Sequence, residues 1–209
     1  MKLILIGATG LVGREVLRLA LMDARVSRVV APARKAFPAH PKLEAPIVDF
    51  DHLPADAPWW QAHALICTLG TTMKVAGTRQ VFSRVDHDYP LAAARLALAA
   101  GTRTYALNSA AGANAASRFF YNRVKGELER DLEALGFASL THVRPGLIGG
   151  EREEARAGEG AALRILRVVG PVLPRRWRIN PAARIASTLL EAALAGAPGV
   201  HVVTSENLL

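Results

Sequence analysis

Hydrophobic positions alternate between two spacings along the first part of the chain. "KLILIG" is a short apolar run, and "LVGREVLRLALMDA" after it repeats apolar residues every three or four positions, as a helix does. Three further apolar runs follow in "RVVAP", "APIVDF" and "HALICTLG", and their branched residues are typical of buried strands. The pattern therefore predicts a strand, a glycine turn and a helix, followed by three more strands.

The same alternation continues to about residue 146. A long helix is predicted over residues 78–100, a fifth strand in "TRTYALNSA", a helix over 118–135 and a sixth strand in "ASLTHVRPG". Strands that alternate with helices build a parallel sheet, because each connecting helix packs back onto a face of the sheet. The predicted fold class is α/β, a doubly wound parallel sheet with helices on both faces and a small C-terminal cap.

The pattern is less regular after Gly146. A charged, Gly-rich stretch is followed by a short predicted helix in "AALRILRVVG", a Pro-containing loop, a last helix in "AARIASTLLEAAL" and a terminal strand around "GVHVV". No linker separates this part from the rest. We therefore predict a single domain over residues 1–209, in which residues 147–180 form a cap over the carboxyl ends of the strands, where open α/β sheets bind their ligands and substrates.

Composition and charge narrow the classes of protein. The chain has 209 residues, 51% of them hydrophobic, which is enough for one substantial core. No run reaches the roughly 20 apolar residues of a membrane span, and the N-terminus breaks into glycines too early for a signal peptide. The single cysteine, Cys67, is expected in the core and fits a reducing compartment. These features predict a cytoplasmic protein without a membrane partner.

The net charge of +8 comes mostly from arginines that are spread along the chain without a basic block. We therefore expect the charge to favour an anionic small molecule, such as a phosphorylated cofactor, and expect no nucleic-acid partner. No metal site is predicted. A monomer and a homodimer both remain open.

The stretch "GATGLVG" places Gly7, Gly10 and Gly13 between the first strand and the first helix. Glycines allow a tight turn and let the backbone approach a pyrophosphate, whose charge is met by free N–H groups and the positive end of the helix. We interpret this GxxGxxG spacing as a dinucleotide site. The alternative is that the three glycines only shape the turn.

The residues after the second strand bear on the choice of cofactor. A dinucleotide fingerprint usually has an acidic residue about 20 positions on, which binds the ribose 2′-hydroxyl. Here "RVVAPA" is followed by Arg34 and Lys35 instead. Such cations hold a 2′-phosphate, so the sequence favours NADPH over NADH. The alternative is that both are solvated loop charges.

Tyr121 and Lys125 stand one helical turn apart in "RFFYNRVKGELERDLEAL". A phenol, with a reference pKa near 10, transfers protons poorly at neutral pH unless its phenolate is stabilised, and a nearby ammonium can do this. Ser109 follows the fifth strand, whose carboxyl end converges with those of its neighbours, and its hydroxyl can hold a carbonyl. The alternatives are that Tyr121 packs on the preceding aromatic residues, that Lys125 pairs with Glu129, and that Ser109 caps a helix.

Other polar and aromatic candidates are given structural interpretations. Helix capping is favoured for the polar cluster of "RVDHDYP", which consists of Asp86, His87 and Asp88. Core packing before the fourth strand is expected for Trp59 and Trp60. A solvated face is favoured over recognition of an acidic substrate or partner for the arginines of the cap, which are Arg152, Arg156, Arg175, Arg176 and Arg178.

The glycine loop, Ser109, Tyr121 and Lys125 together resemble the short-chain dehydrogenase/reductase superfamily, in its atypical, epimerase-like branch. The similarity extends to "VDFDHL", "CTLGTT", "FSRVDHDYPLAAARLA", "FFYNRVKGELE" and "HVRPGLIGGEREEARAGE". These motifs look like the family of the animal Tat-interacting oxidoreductase and its bacterial relatives, over roughly residues 3–195. Where that family often has two arginines after the second strand, this chain has Ala33 before Arg34.

The resemblance implies that residues 1–209 form a single NAD(P)-binding domain with a Rossmann-type doubly wound parallel sheet. It also implies an NADPH site and assigns residues to its parts. The pyrophosphate would be held by Gly7, Thr9, Gly10, Leu11, Val12 and Gly13. The 2′-phosphate would meet Arg34 and Lys35, and the adenine would be bordered by Asp49 and Phe50. The nicotinamide ribose would be lined by Leu69, Gly70 and Thr71 and contacted by Tyr121 and Lys125. The loop that faces the nicotinamide would be Arg144, Pro145, Gly146 and Leu147.

The same resemblance implies a catalytic trio of Ser109, Tyr121 and Lys125, in which Tyr121 protonates a carbonyl oxygen of an unidentified small molecule as hydride arrives from the cofactor. The expected function is an NADPH-binding oxidoreductase. One alternative is an NADPH-binding regulatory or redox-sensing protein with little turnover, because a fold does not settle chemistry. A weaker alternative is an enzyme like the sugar-nucleotide epimerases and dehydratases.

Overall fold

A parallel sheet of seven strands forms the centre of the computed structural model, which describes residues 1–149 and 179–209. The order of its strands is β3-β2-β1-β4-β5-β6-β9, and every neighbouring pair is parallel. The strands are β1 (Lys2–Ile6), β2 (Arg28–Val30), β3 (Leu43–Glu44), β4 (Ala64–Cys67), β5 (Thr104–Asn108), β6 (Ser139–Arg144) and β9 (Gly199–Thr204). Two short strands, β7 (Ile148–Gly149) and β8 (Asn180–Pro181), pair separately. The predicted α/β class is confirmed.

Six helices accompany the described strands. They are α1 (Leu11–Met22), α2 (Met73–Ala76), α3 (Arg79–Ser83), α4 (Tyr89–Ala99), α5 (Phe120–Leu135) and α6 (Ala182–Ala195). A π-helical turn at Arg84–Asp88 joins α3 directly to α4, so the helix predicted over residues 78–100 is a continuous run with one wider turn. Short 3-10 turns lie at Pro58–Trp60 and Ser205–Leu208.

Both faces of the sheet are covered by helices, which explains the apolar runs of the strands. In β1, Leu3 and Leu5 belong to the core cluster formed with α1 and α6, while Ile4 and Ile6 belong to the cluster formed with α4 and α5. Adjacent residues of a strand point to opposite faces, so each strand supplies both layers. The core packing predicted for Trp59, Trp60 and Cys67 is confirmed, because all three side chains are buried.

The strand predicted in "APIVDF" is wrong. The third strand is Leu43–Glu44, just before this segment, and the segment itself meets the sheet only through an isolated bridge between Ala33 and Ile47. Pro46 has no backbone N–H to donate, so it cannot continue a ladder. Its carbonyl instead accepts a hydrogen bond from the N–H of Ala33.

The predicted cap is described only at its two ends. Ile148–Gly149 and Asn180–Pro181 form the parallel pair β7–β8, while residues 150–178, with the short helix, the Pro-containing loop and the five cap arginines, lie outside the described residues. The cap and the single-domain organisation therefore stay predictions. The last predicted helix and the terminal strand are confirmed as α6 and β9.

Within residues 1–149 and 179–209, no helix is both long and apolar enough to cross a bilayer. The same part of the chain has no group of three or more His, Cys, Asp or Glu side chains arranged to hold a metal ion.

His142 is a fully buried titratable residue of β6. Its Nε2 lies 3.2 Å from Oε1 of Glu133, and its Nδ1 has no hydrogen-bond partner. Burial lowers the pKa of His142 below its usual value, although the charges of Glu129 and Glu133 oppose this effect. The folded chain therefore holds this imidazole neutral at neutral pH.

We expect His142 to make the fold sensitive to mild acid. As the pH falls below about 6.5, the unfolded chain binds a proton that the folded chain does not, so the free energy of unfolding decreases until folded His142 is also protonated. His142→Gln removes this contribution and should reduce the fall in Tm measured between about pH 7 and pH 5. The exposed His201 on β9 gives a matched control, His201→Gln. An equal fall in Tm for wild type and His142→Gln would contradict the assignment.

Candidate active site

A cleft of about 620 Å³ opens at the carboxyl ends of β1, β4 and β5. Its walls come from the glycine turn after β1, the loop that follows β4, the end of β5 and one face of α5. Ser109, Tyr121 and Lys125, which the sequence singles out in separate segments, all line this cleft. The structure therefore brings the predicted catalytic trio together.

The three glycines of the turn have different roles. Gly7 has a φ of +87°, and a Cβ there would lie 2.5 Å from the backbone nitrogen of Leu69. A Cβ on Gly13 would lie 2.1 Å from the carbonyl oxygen of Gly7, so both glycines are required by close backbone packing. Gly10 is less constrained, lines the cleft, and precedes α1 without a side-chain cap. The structure thus supports turn shaping for Gly7 and Gly13 and leaves the N-terminus of α1 without a capping side chain at the cleft.

Lys125 is bound to Asp86 inside the protein. Its Nζ lies 2.8 Å from Oδ1 of Asp86, and the two side chains are only 4% and 1% exposed. The other carboxylate oxygen of Asp86 accepts a 2.7 Å hydrogen bond from the backbone N–H of Thr71. The alternative pairing of Lys125 with Glu129 is wrong, because Glu129 binds the guanidinium of Arg144 through two hydrogen bonds, of 3.0 and 2.6 Å.

Tyr121 has one side in the cleft and 42% of its surface exposed. Its ring packs edge-on against Phe82, with the centroids 5.8 Å apart. Partial burial raises the pKa of Tyr121, the charge of Lys125 lowers it, and the charge of Asp86 raises it again, so the net direction is upward. The lowering expected from Lys125 alone is therefore not the net result here.

The ammonium of Lys125 is stable in its charged form despite burial. Burial lowers the pKa of Lys125, but the neighbouring Asp86 and Tyr121 raise it by more, and the net direction is upward. Lys125 thus stays protonated beside a Tyr121 that also keeps its proton.

Two buried polar atoms of the cleft have no hydrogen-bond partner. They are Oγ of Ser109 and Oδ1 of Asn108. Ser109 is held by its backbone, whose N–H donates to the carbonyl of Val143 at 2.7 Å, and its hydroxyl caps no helix. Buried polar atoms are rarely left unpaired in folded proteins, so these two are candidates to bind a ligand. Sequence reasoning missed Asn108, although it stands directly before Ser109.

The residues assigned to the adenosine side do not line the cleft. Arg34 and Lys35 follow β2 as exposed side chains, and neither makes a hydrogen bond or ion pair with another described residue. Asp49 is exposed and lies 2.9 Å from the imidazole of His52. Phe50 is buried in the core cluster of α4 and α5.

The stretch from Arg144 to Leu147 borders the cleft without lining it. Arg144 is bound to Glu129, and the N–H of Gly146 donates to Oδ1 of Asn180 at 2.7 Å. The carbonyl of Pro145 accepts from the N–H of Ala111 at 2.7 Å. Leu147 is 53% exposed, and the residue after it, Ile148, does line the cleft.

The capping predicted for the polar cluster of the π turn is wrong for all three residues. Asp86 binds Lys125, as described above. His87 lies 2.8 Å from Asp88 through Nδ1 and 3.0 Å from Asp131 of α5 through Nε2. Asp88 stands at the N-cap of α4 but makes no side-chain capping hydrogen bond. Contacts with α5 therefore decide what two of these side chains do.

Curated proteins with similar sequences identify the family to which this chain belongs. The chain is 38% identical over 180 residues to "Protein fmp52, mitochondrial" of Aspergillus fumigatus, and the alignment covers 80% of this chain and 75% of that protein. It is 38% identical over 163 residues to "Protein HTATIP2" of Rattus norvegicus, with coverages of 76% and 67%. The chain belongs to this HTATIP2 and fmp52 family of atypical short-chain dehydrogenases/reductases. No protein-family model matches it.

Solved structures of other proteins share the fold of this chain. The structure of MoeE5 in complex with UDP-glucose and NAD has a TM-score of 0.74 at 13% identity and covers 98% of this chain and 75% of that chain. The oxidoreductase ylbE from Lactococcus lactis has a TM-score of 0.68 at 18% identity, with coverages of 100% and 95%. At such low identity, these likenesses show the Rossmann-type fold alone.

The family corrects the predicted location. Relatives from several fungi are named mitochondrial proteins, which contradicts the cytoplasmic location expected from the sequence. The expectation depended on a lone cysteine and an early glycine turn. Neither feature distinguishes the cytoplasm from another reducing compartment.

The packing of the glycine turn predicts unequal costs for two substitutions in the family motif. Gly13→Ala places a methyl group against the carbonyl of Gly7 and the hydroxyl of Thr68, and overpacking of this kind should lower the free energy of unfolding by about 2 kcal/mol or more. Gly10→Ala is the matched control, because its Cβ would meet nothing closer than 3.4 Å. It should cost under about 1 kcal/mol. Chemical denaturation measures both, and equal losses would contradict the assigned packing.

Proposed function

We propose that this chain is an NADPH-dependent oxidoreductase that transfers hydride to a carbonyl of a small molecule, with Tyr121 as the proton donor. The proposal depends on one observation above all, the meeting of Ser109, Tyr121 and Lys125 in one cleft with the N-terminus of α1. It includes neither nucleic acid nor a membrane as a partner, and it is compatible with a monomer or a homodimer.

The cleft fits a dinucleotide in two respects. The N-terminus of α1 has no side-chain cap and suits an anion, and two buried polar atoms of the cleft lack a partner. Gly10, Leu11 and Val12 would hold the pyrophosphate, and Leu69, Gly70 and Thr71 would line the nicotinamide ribose. When bound, NADPH would supply the hydride.

The chain's own residues would orient the substrate and move the proton. The hydroxyl of Ser109 would donate a hydrogen bond to the carbonyl oxygen, and its lack of any other partner leaves it free to do so. Tyr121, whose pKa is raised, would hold its proton on Oη until the carbonyl oxygen takes it. Lys125 would stay charged beside the phenolate that remains, and its ion pair with Asp86 would limit how far it stabilises that phenolate.

Preference for NADPH is supported by Arg34 and Lys35. Both are exposed after β2 and make no hydrogen bond or ion pair with another described residue, so they are available for a 2′-phosphate. Glu44, an acidic residue on the neighbouring strand β3, forms an ion pair with Arg28 instead, with 3.2 Å between its Oε2 and Nη1 of Arg28.

Two other functions would use the same fold. An NADPH-binding regulatory protein would share the cofactor site and need no turnover, so the carbonyl experiment below separates it from a reductase. A sugar-nucleotide epimerase would agree with solved structures such as a UDP-glucose 4-epimerase from Thermotoga maritima, but at 11% identity that likeness supports the fold alone.

Cofactor titration tests the nucleotide preference. Wild type should bind NADPH more tightly than NADH, and Arg34→Ala or Lys35→Ala should weaken NADPH binding roughly tenfold while leaving NADH binding unchanged, because each removes a charge-assisted bond to the 2′-phosphate. Arg95→Ala removes an exposed arginine of α4 and should change neither affinity. Equal affinities of wild type for the two nucleotides would exclude the preference.

Oxidation of NADPH over a panel of aldehydes, ketones and quinones tests the reaction. Tyr121→Phe should reduce kcat at least about 100-fold through loss of the proton donor, while NADPH binding is retained. Tyr89→Phe is a matched control. Tyr89 packs on Phe50 and does not line the cleft, so this variant should turn over as wild type does. Failure of wild type to turn over any carbonyl would reject the reductase and favour the regulatory protein.

A further inference from the structure

The carboxylate of Asp86 is held in one orientation by contacts on both of its oxygens. Lys125 binds Oδ1 at 2.8 Å, and the N–H of Thr71 binds Oδ2 at 2.7 Å. Asp86 is 1% exposed, so water does not screen its charge. A buried carboxylate that is fixed by a cation and a backbone N–H acts on the charges of its neighbours over short distances.

Asp86 reaches this position from the π-helical turn at Arg84–Asp88. A π turn holds one residue more than a regular helical turn, which changes the faces presented by the side chains around it, and such turns often occur at functional sites. The helices before and after it, α3 and α4, therefore present different faces. The extra residue of the π turn thus accompanies the placement of the Asp86 side chain at the cleft.

The loop after β4 closes over the ion pair. A Cβ on Gly70 would lie 3.2 Å from Oδ1 of Asp86 and 3.7 Å from Nζ of Lys125, so the backbone of Gly70 packs directly on both charged groups. This loop is the one assigned to the nicotinamide ribose. The pair therefore joins the cofactor side of the cleft to the helix that carries Tyr121.

Few charged groups act on Tyr121. Among the described residues, Lys125 of its own helix and Asp86 of the π turn affect its ionisation in opposite directions, and Lys125 is also close enough to Cys67 of β4 to feel that thiol. An unpaired ammonium beside a phenol favours the phenolate. An ammonium that is bound to a carboxylate favours the phenolate much less, because the carboxylate offsets its charge.

We propose that Asp86 is a positioning residue, which neutralises the ammonium of Lys125 and so keeps Tyr121 protonated as a donor in the resting protein. A protonated donor suits reduction of a carbonyl, in which the phenol loses its proton to the carbonyl oxygen. This inference deepens the function proposed above, and it rests on that function only for its consequence for turnover.

Titration of the Tyr121 phenol tests the proposal without cofactor or substrate. The chain has three tyrosines, and the phenolate absorbance of Tyr121 is the difference between a protein and its Tyr121→Phe counterpart. Asp86→Asn removes the negative charge while its amide oxygen can still accept from Thr71. Tyr121 should then ionise at lower pH, with the phenolate fraction at about pH 9 increased several-fold. An unchanged titration, or one moved to higher pH, would overturn the proposal.

A neighbouring carboxylate supplies the control. Asp88 belongs to the same π turn, is exposed and binds His87, so Asp88→Asn should leave the titration of Tyr121 unchanged. A shift as large as that of Asp86→Asn would show a general charge effect and would contradict a specific role for Asp86.

A second comparison keeps the proposal testable if Asp86→Asn does not fold, since that variant leaves a buried ammonium without a partner. The double variant Asp86→Asn/Lys125→Met contains neither charge and is compared with wild type. If the carboxylate neutralises the ammonium, removing both charges together should leave the titration of Tyr121 close to that of wild type. A clear shift of that titration to higher pH would show that the ammonium still favours the phenolate in wild type and would overturn the proposal.

The pH dependence of kcat/KM extends the test to any carbonyl that wild type reduces. In Asp86→Asn the basic limb of the profile should move to lower pH in parallel with the phenol titration, and a limb that stays in place would contradict the proposed link to catalysis. If wild type reduces no carbonyl, the reductase proposal fails by itself, and the phenol titration still decides the role of Asp86.

Discussion

The buried ion pair between Asp86 and Lys125 joins three segments that build the cleft. It connects the π turn before α4 to α5 and, through the N–H of Thr71, to the loop after β4. Neither charge is stable in the interior without the other, because removal from water is costly for each. The pair thereby fixes where Lys125 lies relative to Tyr121, and the chemistry available to the cleft depends on that placement.

The topology of the sheet explains why these segments meet. The chain adds β2 and β3 on one side of β1 and then crosses to place β4 and β5 on the other side. Ligands of open α/β sheets bind where the order of strands reverses, at the carboxyl ends of the strands, and the cleft lies there. Gly7 and Gly13 let the first turn and α1 pack closely against the loop after β4.

Periodicity and chain order predict much of this arrangement from sequence, because both are local or follow from the handedness of crossovers. They identify the α/β class, most strands, the glycine turn and the meeting of Ser109, Tyr121 and Lys125. The roles of Asp86 and Glu129 escaped prediction, since each is decided by a partner distant in sequence: Lys125 for one and Arg144 for the other. Local rules predicted helix capping for Asp86 and i,i+4 pairing for Glu129, and tertiary contacts decide both instead. The position of β3 along the chain was predicted wrongly, because the regular pairing stops before Pro46, just where the apolar run begins.

A crystal structure with NADP⁺ bound would test the central claim most directly. The account predicts density for the nicotinamide in the cleft beside Ser109 and Tyr121, with the pyrophosphate at the N-terminus of α1 and Lys125 still bound to Asp86. Density for the nucleotide at another surface, or in this cleft with the nicotinamide directed away from Tyr121, would contradict it.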